Sequence, residues 1–270
     1  MSEPTLIYEK RGPIAYITFN RPEARNALDP EAMCRLADAW QDYAEDDDLR
    51  VAILTGTGDK AFTAGADLGK LVPLWTGARQ PQDEWDRRIV DEEGLSDRAT
   101  LKREWLYKPV VSAINGFCIG AGAEILQATD IRIAAEHATI SVNEVTIGFM
   151  PGGGSAVRLA RQIPFCKVNE MLLAGERISA AEAHRFGLVN EVVPQDRLIE
   201  RAEYFAHKIA ANAPFAVRKT KETIWKTMTI PYADGWKIEA ENAALTMASE
   251  DAKEGPRAFM EKRPPRFTGR

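Results

Sequence analysis

Val110-Val-Ser-Ala-Ile-Asn-Gly-Phe-Cys-Ile-Gly-Ala-Gly-Ala-Glu124 is the stretch of this chain that says most about its fold. Residues 110–115 are apolar and β-branched enough to read as a buried strand, Gly116 and Gly120 punctuate a turn, and 121–129 follows as a helix. A helix that leaves a glycine turn directly has first-turn N–H groups without intrahelical acceptors. Such donors bind an anion or a developing oxyanion. Residues 51–55 followed by Gly56-Thr-Gly58 repeat the strand-and-glycine pattern, and Lys60-Ala-Phe-Thr-Ala-Gly-Ala-Asp-Leu68 supplies a second set of backbone donors after another strand.

Working outward, residues 6–8 and 14–19 read as strands around Arg11-Gly12-Pro13, a hairpin opening. Asp29 before Pro30 is a helix N-cap with proline at the first position, and Met33, Leu36, Ala37 and Trp40 recur at helical spacing to about residue 45. Residues 131–134 and 139–142 are further strands. Ser179-Ala-Ala-Glu182 is a capping box whose helix should stop at Gly187, with a strand over 188–193. From about residue 196 strand signals vanish, and 197–211, 214–227 and 232–249 read as consecutive helices. The expectation is an α/β core over 1–195 and a helical appendage over 196–270. Residues 71–100 read as a solvated helix and loop.

The chain has 270 residues, 45% of them hydrophobic and 8% aromatic, and a net charge of −5. This composition is that of a folded globular protein able to bury a substantial core. The acidic balance, without a lysine/arginine cluster, argues against a nucleic-acid binder. Three widely spaced cysteines fit reduced thiols in a cytoplasmic protein rather than a disulfide framework. His137, His184 and His207 lack zinc-ligand spacing, so no metal is expected. The start MSEPTLIYEK has no secretory character, and no apolar run is long enough to span a bilayer.

Two alternative chemistries fail on particular residues. A dinucleotide fingerprint needs a third glycine where Ile125 stands, so no nicotinamide cofactor is expected. Gly153-Gly-Ser-Ala-Val157 lacks the closing glycine of a nucleophile elbow. What remains are two glutamates beside glycine turns, Glu124 and Glu144. Taken singly, each is ordinarily a capping or surface charge. Together with two donor turns they make a set that can polarise a carbonyl and move protons on the carbons beside it.

These residues also carry a resemblance. Asn20-Arg-Pro-Glu23, Asn26-Ala-Leu28, Ala61-Phe-Thr-Ala-Gly-Ala-Asp67, Gly120-Ala-Gly-Ala-Glu124, Asp130-Ile-Arg-Ile-Ala134, Glu144 with Gly148 and Pro151-Gly152, and Leu173-Ala-Gly-Glu-Arg-Ile-Ser-Ala180 resemble the enoyl-CoA hydratase/isomerase (crotonase) superfamily in the same order. The resemblance implies an α/β spiral of ββα repeats with a C-terminal helical region that builds trimers, commonly paired into hexamers. It implies that the backbone N–H groups of Ala66 and Ala121 hold the thioester oxygen of an acyl-CoA. Ala121 stands where the family often has glycine, a mild departure because the main chain donates. The resemblance further implies that the adenine and phosphate end lies along Ala64, Ala66, Asp67 and Leu68, and that Phe259 and Lys262 contribute from a neighbouring subunit. Glutamates at both carboxylate positions imply hydration of a trans-2-enoyl-CoA, or the reverse dehydration. Glu124 would then take the proton of the attacking water, Glu144 would protonate C2, and the Gly152 N–H would help hold the water. Coenzyme A is then part of the substrate, and no separate cofactor is implied. The alternatives are a Δ3,Δ2-enoyl-CoA isomerase and a non-catalytic acyl-CoA-binding member.

Overall fold

Alternating apolar residues make β1 (Leu6–Arg11) and β2 (Ile14–Phe19) an antiparallel hairpin with Leu6 opposite Phe19 and Arg11 opposite Ile14. The computed structural model describes residues 3–102 and 105–270. α1 (Pro30–Glu45) starts where the Asp29 carboxylate accepts the Ala32 N–H at 3.0 Å, and it buries Met33, Leu36, Ala37 and Trp40. β3 (Val51–Gly56) lies parallel to β2, and β4 (Ala61–Thr63) departs to a second sheet.

This departure is repeated down the chain. β5 (Val110–Ile114) joins the first sheet, and β6 (Phe117–Ile119) joins the second and leads into α5 (Ala121–Leu126). β7 (Ile131–Ala135) and β8 (Thr139–Ser141) divide the same way, β9 (Arg177–Ser179) closes the second sheet, and β10 (Glu191–Val193) closes the first. The result is a six-stranded sheet in the order β1-β2-β3-β5-β7-β10 and a four-stranded sheet in the order β4-β6-β8-β9. The strands of the first sheet bury nearly continuous apolar runs such as Val51 to Leu54, as strands covered on both faces do. Asn115 bridges strand ends of both sheets: its amide donates to the Gly56 and Ala61 carbonyls at 2.7 and 3.2 Å.

Residues 71–100 hold three short helices, α2 (Val72–Trp75), α3 (Glu84–Asp91) and α4 (Leu95–Ala99). The segment is less solvated than its charges imply. Leu71, Leu74, Ile89 and Leu95 are buried, and charges pair within the segment, as in Arg79 with Asp86 at 2.7 Å, or with α1, as in Arg88 with Asp38 at 2.7 Å. α6 (Ser155–Gln162) and α7 (Phe165–Leu173) follow the second glycine-rich stretch. α8 (Ala180–Arg185) carries the expected capping box on Ser179 and Glu182.

Of the boundaries that differ from the sequence expectation, two have a local hydrogen-bonding cause. The strand expected over 188–193 begins only at Glu191, because the Leu188 and Val189 N–H groups close the end of α8 on the Ala183 carbonyl. The helix expected over 121–129 ends at Leu126, because the Thr129 hydroxyl donates to the Leu126 carbonyl and the Asp130 N–H already donates to Val110. The helical C-terminus comprises α9 (Leu198–Ala210), α10 (Pro214–Thr227), α11 (Tyr232–Met247) and α12 (Glu250–Met260). α9 lays Leu198, Ala202, Ala206 and Ala210 on β3, β5 and β7, and so belongs to the layer covering the first sheet. α10 and α11 pack on each other, and α11 buries only Asn242.

Candidate active site

The two donor turns expected from the glycines meet. In an isolated parallel bridge, Leu28 donates to the Gly65 carbonyl at 2.8 Å and accepts the Asp67 N–H at 2.9 Å. Leu28 thus bonds to the neighbours of Ala66, and the alternation of the backbone turns the Ala66 N–H to the other side. Gly65 has φ +84°, and a Cβ there would lie 2.6 Å from the Ile119 carbonyl oxygen and 3.2 Å from the Ala121 nitrogen. Only glycine lets the chain pass that close. The Ala121 N–H stands at the first position of α5, where no helical carbonyl can reach it. Among the described residues neither N–H donates to a protein acceptor.

Glu124 lies one turn into α5 and is 4% exposed. Its Oε1 accepts the Gly153 N–H at 2.7 Å and the Ser155 N–H at 3.4 Å. Burial pushes the Glu124 carboxyl up, and the bonds from Ser155 and Gly153 together with the Arg158 charge pull it only part of the way back, so it stays above the usual carboxylate range. Glu144 opens a 3₁₀ turn (Glu144–Ile147), and its Oε2 is buried without a partner among the described residues. Burial first, and the Glu124 charge second, push the Glu144 carboxyl up to about 7. Loss of solvent is the larger cause, and the neighbour adds to it.

Both carboxylates and both turns line one cavity of about 490 Å³. Ala64, Ala66, Leu68, Ala121, Glu124, Glu144 and Gly152 all border it. Asp67 does not: its carboxylate accepts Arg21 Nη1 at 2.9 Å and the Gly69 and Lys70 N–H groups at 2.9 Å, so it shapes the turn from behind. Burial raises the Asp67 carboxyl, the Arg21 bond opposes this, and the balance leaves it below the usual range. Phe259 and Lys262 lie at the end of α12 outside this cavity, with Phe259 82% exposed. Of the two tryptophans in the 71–100 segment, Trp75 borders the cavity. Trp85 packs on the core instead, with the Arg35 guanidinium over its ring.

The sequence reading missed Gly153, Ser155 and Arg158. The N–H bond that fixes the Glu124 carboxylate comes from Gly153, while Gly152, expected to help hold the water, borders the cavity. A Cβ on Gly153 would lie 2.5 Å from Glu124 Oε2, so this position must be glycine while Glu124 keeps its place. The signal was the run Gly152-Gly-Gly-Ser155, whose three glycines exceed what one turn requires.

The chain thus combines a mixed α/β core of two sheets, a helical C-terminus, and two touching donor turns facing paired carboxylates. The enoyl-CoA hydratase/isomerase family profile matches residues 9–270, and the chain belongs to this family. It is 40% identical over 269 residues to the enoyl-CoA hydratase EchA19 of Mycobacterium tuberculosis, covering 100% of this chain and 98% of that protein. It is 38% identical over 256 residues to the (E)-benzylidenesuccinyl-CoA hydratase of Thauera aromatica, covering 95% of this chain and 96% of that one. The crystal structure of an enoyl-CoA hydratase from Bacillus anthracis matches with a TM-score of 0.88 at 36% identity, over 98% of this chain and 100% of that chain.

Proposed function

We propose that the protein adds water across the C2–C3 double bond of a trans-2-enoyl-CoA to give a 3-hydroxyacyl-CoA, or runs the same reaction in reverse. The thioester oxygen lies between the Ala66 and Ala121 N–H groups, which stabilise the negative charge that develops there as C3 is attacked. One such donor is typically worth about 3–4 kcal/mol of barrier. Glu124, whose carboxylate accepts two N–H bonds, takes a proton from the water. The Gly152 N–H helps hold that water. The oxygen bonds to C3, the π electrons move toward the thioester, and Glu144 delivers its proton to C2. Proton exchange with solvent returns both carboxyls to their starting states. The adenine and phosphate end of coenzyme A runs past Ala64 to Leu68, with no further cofactor, and a neighbouring subunit of a trimer or hexamer adds Phe259 and Lys262.

The observation that carries this reading is the unlike environment of the two glutamates. Glu124 accepts two N–H bonds, whereas Glu144 has an orphaned oxygen and a carboxyl pushed to about 7. A pair split in this way provides a base and an acid at the same pH. A spectrophotometric screen of crotonyl-, cinnamoyl- and branched 2-enoyl-CoA thioesters is the test, with hydration of at least one as the expected result. Conversion of 3-enoyl to 2-enoyl thioesters without hydration would replace this reading with the isomerase. Acyl-CoA binding without turnover would replace it with a binding protein.

A further inference from the structure

The Arg158 guanidinium lies behind the carboxylates, 7% exposed, and none of the steps above uses it. Its Nη1 donates to the Glu124 carbonyl at 3.3 Å and to the Gly153 carbonyl at 3.2 Å, and its Nη2 donates to the Leu101 carbonyl. These acceptors belong to three separate parts of the chain: α5, the glycine turn ahead of α6, and the corner that ends the segment following Leu71. Leu101 is a non-glycine residue at φ +50°, a conformation that persists only where its surroundings hold it. Thr100 and Lys102, on either side of it, border the cavity.

We infer that Arg158 is a positioning residue for the hydration, its fork of donors locking the Glu124 helix, the Gly153 turn and the Leu101 corner into one unit. The inference rests on the hydratase reading above. Gly153 clamps the Glu124 carboxylate through its N–H while Arg158 clamps the Gly153 carbonyl, so the clamp is itself anchored. A planar guanidinium can reach three carbonyls in different directions, and a compact ammonium on a flexible stem cannot hold the same set.

The buried positive charge has a second effect. It favours the ionised form of Glu124, whereas Glu144 has no cation bonded to it among the described residues. Among the described residues the other charged groups in this surrounding are Glu144 across the cavity, Asp97 and Lys102 on the cavity wall, and Arg132, which shares the field of Arg158. Arg158 therefore helps keep the two glutamates in different protonation states.

The test compares Arg158→Met and Arg158→Lys with the unaltered protein, following carboxyl-carbon NMR titration of Glu124 and the pH dependence of kcat and KM. In Arg158→Met, kcat should fall by about tenfold to a hundredfold, as for a displaced catalytic group, with KM little changed. Both the Glu124 titration and the acidic limb of kcat/KM should move up by about half to one pH unit, because the base loses a favourable charge. Arg158→Lys should restore the limb but not kcat, since it returns the charge without the fork. An unmoved Glu124 titration in a folded Arg158→Met protein would overturn the inference. So would full kcat in Arg158→Lys, a result that decides the matter if the methionine variant does not fold. If the unaltered protein hydrates no thioester, the hydratase reading fails, and the NMR arm still decides whether Arg158 governs Glu124.

Discussion

Glu124 and Glu144 differ in what surrounds each carboxyl, and this makes their substitutions informative. Glu124→Gln and Glu144→Gln should each lower kcat by about a hundredfold or more, the usual worth of a positioned proton transfer, while leaving acyl-CoA binding nearly intact. Stopped-flow kinetics beside a direct binding titration checks this; full hydratase activity in Glu124→Gln would remove the two-carboxylate mechanism. Gly153→Ala should also depress kcat, because its Cβ would lie 2.5 Å from the Glu124 carboxylate and one of them must move. The raised Glu144 carboxyl has two consequences with the same sign. A hydration that needs protonated Glu144 should slow as pH rises through about 7. Folding favours the protonated carboxyl, so its contribution to stability is fully present below the ordinary value of 4.5 and is lost as pH rises through about 7. Denaturant titrations across that window should show the decline in the unaltered protein and a flatter profile in Glu144→Gln.

At the scale of elements, the segment from α2 to α4 does two things, and its two tryptophans divide them. Trp75 stands on α2 at the cavity, 47% exposed, where it is free to meet an acyl group. Trp85 stands on α3 against α1, where its carbonyl accepts the Cys34 thiol and the Arg35 guanidinium covers its ring. Trp75→Ala should therefore change the ranking of kcat/KM among short, branched and aromatic 2-enoyl-CoAs, by about 1–3 kcal/mol between extremes. Trp85→Ala should scale all substrates alike and instead lower stability by about 2 kcal/mol, less than a fully buried ring because it is only partly covered. Equal scaling in Trp75→Ala would make α2 structural cover.

For the whole molecule, the helical C-terminus presents more apolar surface than a lone chain usually keeps. Ile224, Tyr232, Trp236 and Leu245 on α10 and α11 are all exposed, as are Phe259 and Met260 on α12. We expect this surface to be covered by further copies of the chain. Sedimentation velocity should then give three or six times the chain mass, and an aspartate at Trp236 should lower it; a monomer at micromolar concentration would remove the expectation. Phe259→Ala should weaken coenzyme A binding in the assembled protein only. Among the described residues no three histidine, cysteine, aspartate or glutamate side chains gather as metal ligands, and no helix is long and apolar enough to cross a membrane. Hydration is expected to survive dialysis against a chelator; loss of activity restored by added zinc or magnesium would contradict the proton-transfer scheme.

What was legible in the sequence was local. The Asp29-Pro30 start of α1, the Ser179–Glu182 capping box, the hairpin and the glycine turns each depend on residues within a few positions, so spacing and side-chain type were enough. The two glutamates and the two donor turns could be named for the same reason, because glycine and helix starts create unpaired N–H groups wherever they occur. The tertiary structure decided which of these groups meet. Asp67 came to pair with Arg21, 46 positions away. Gly153 came to hold Glu124, 29 positions away, and Arg158 reached Leu101 across 57. No periodicity encodes those separations, since they arise only when two sheets stack and bring turns from distant strands together. The same stacking removes water from Glu144, and that desolvation, a property of the assembled surroundings rather than of any residue in the chain, is what moves its carboxyl toward neutral pH.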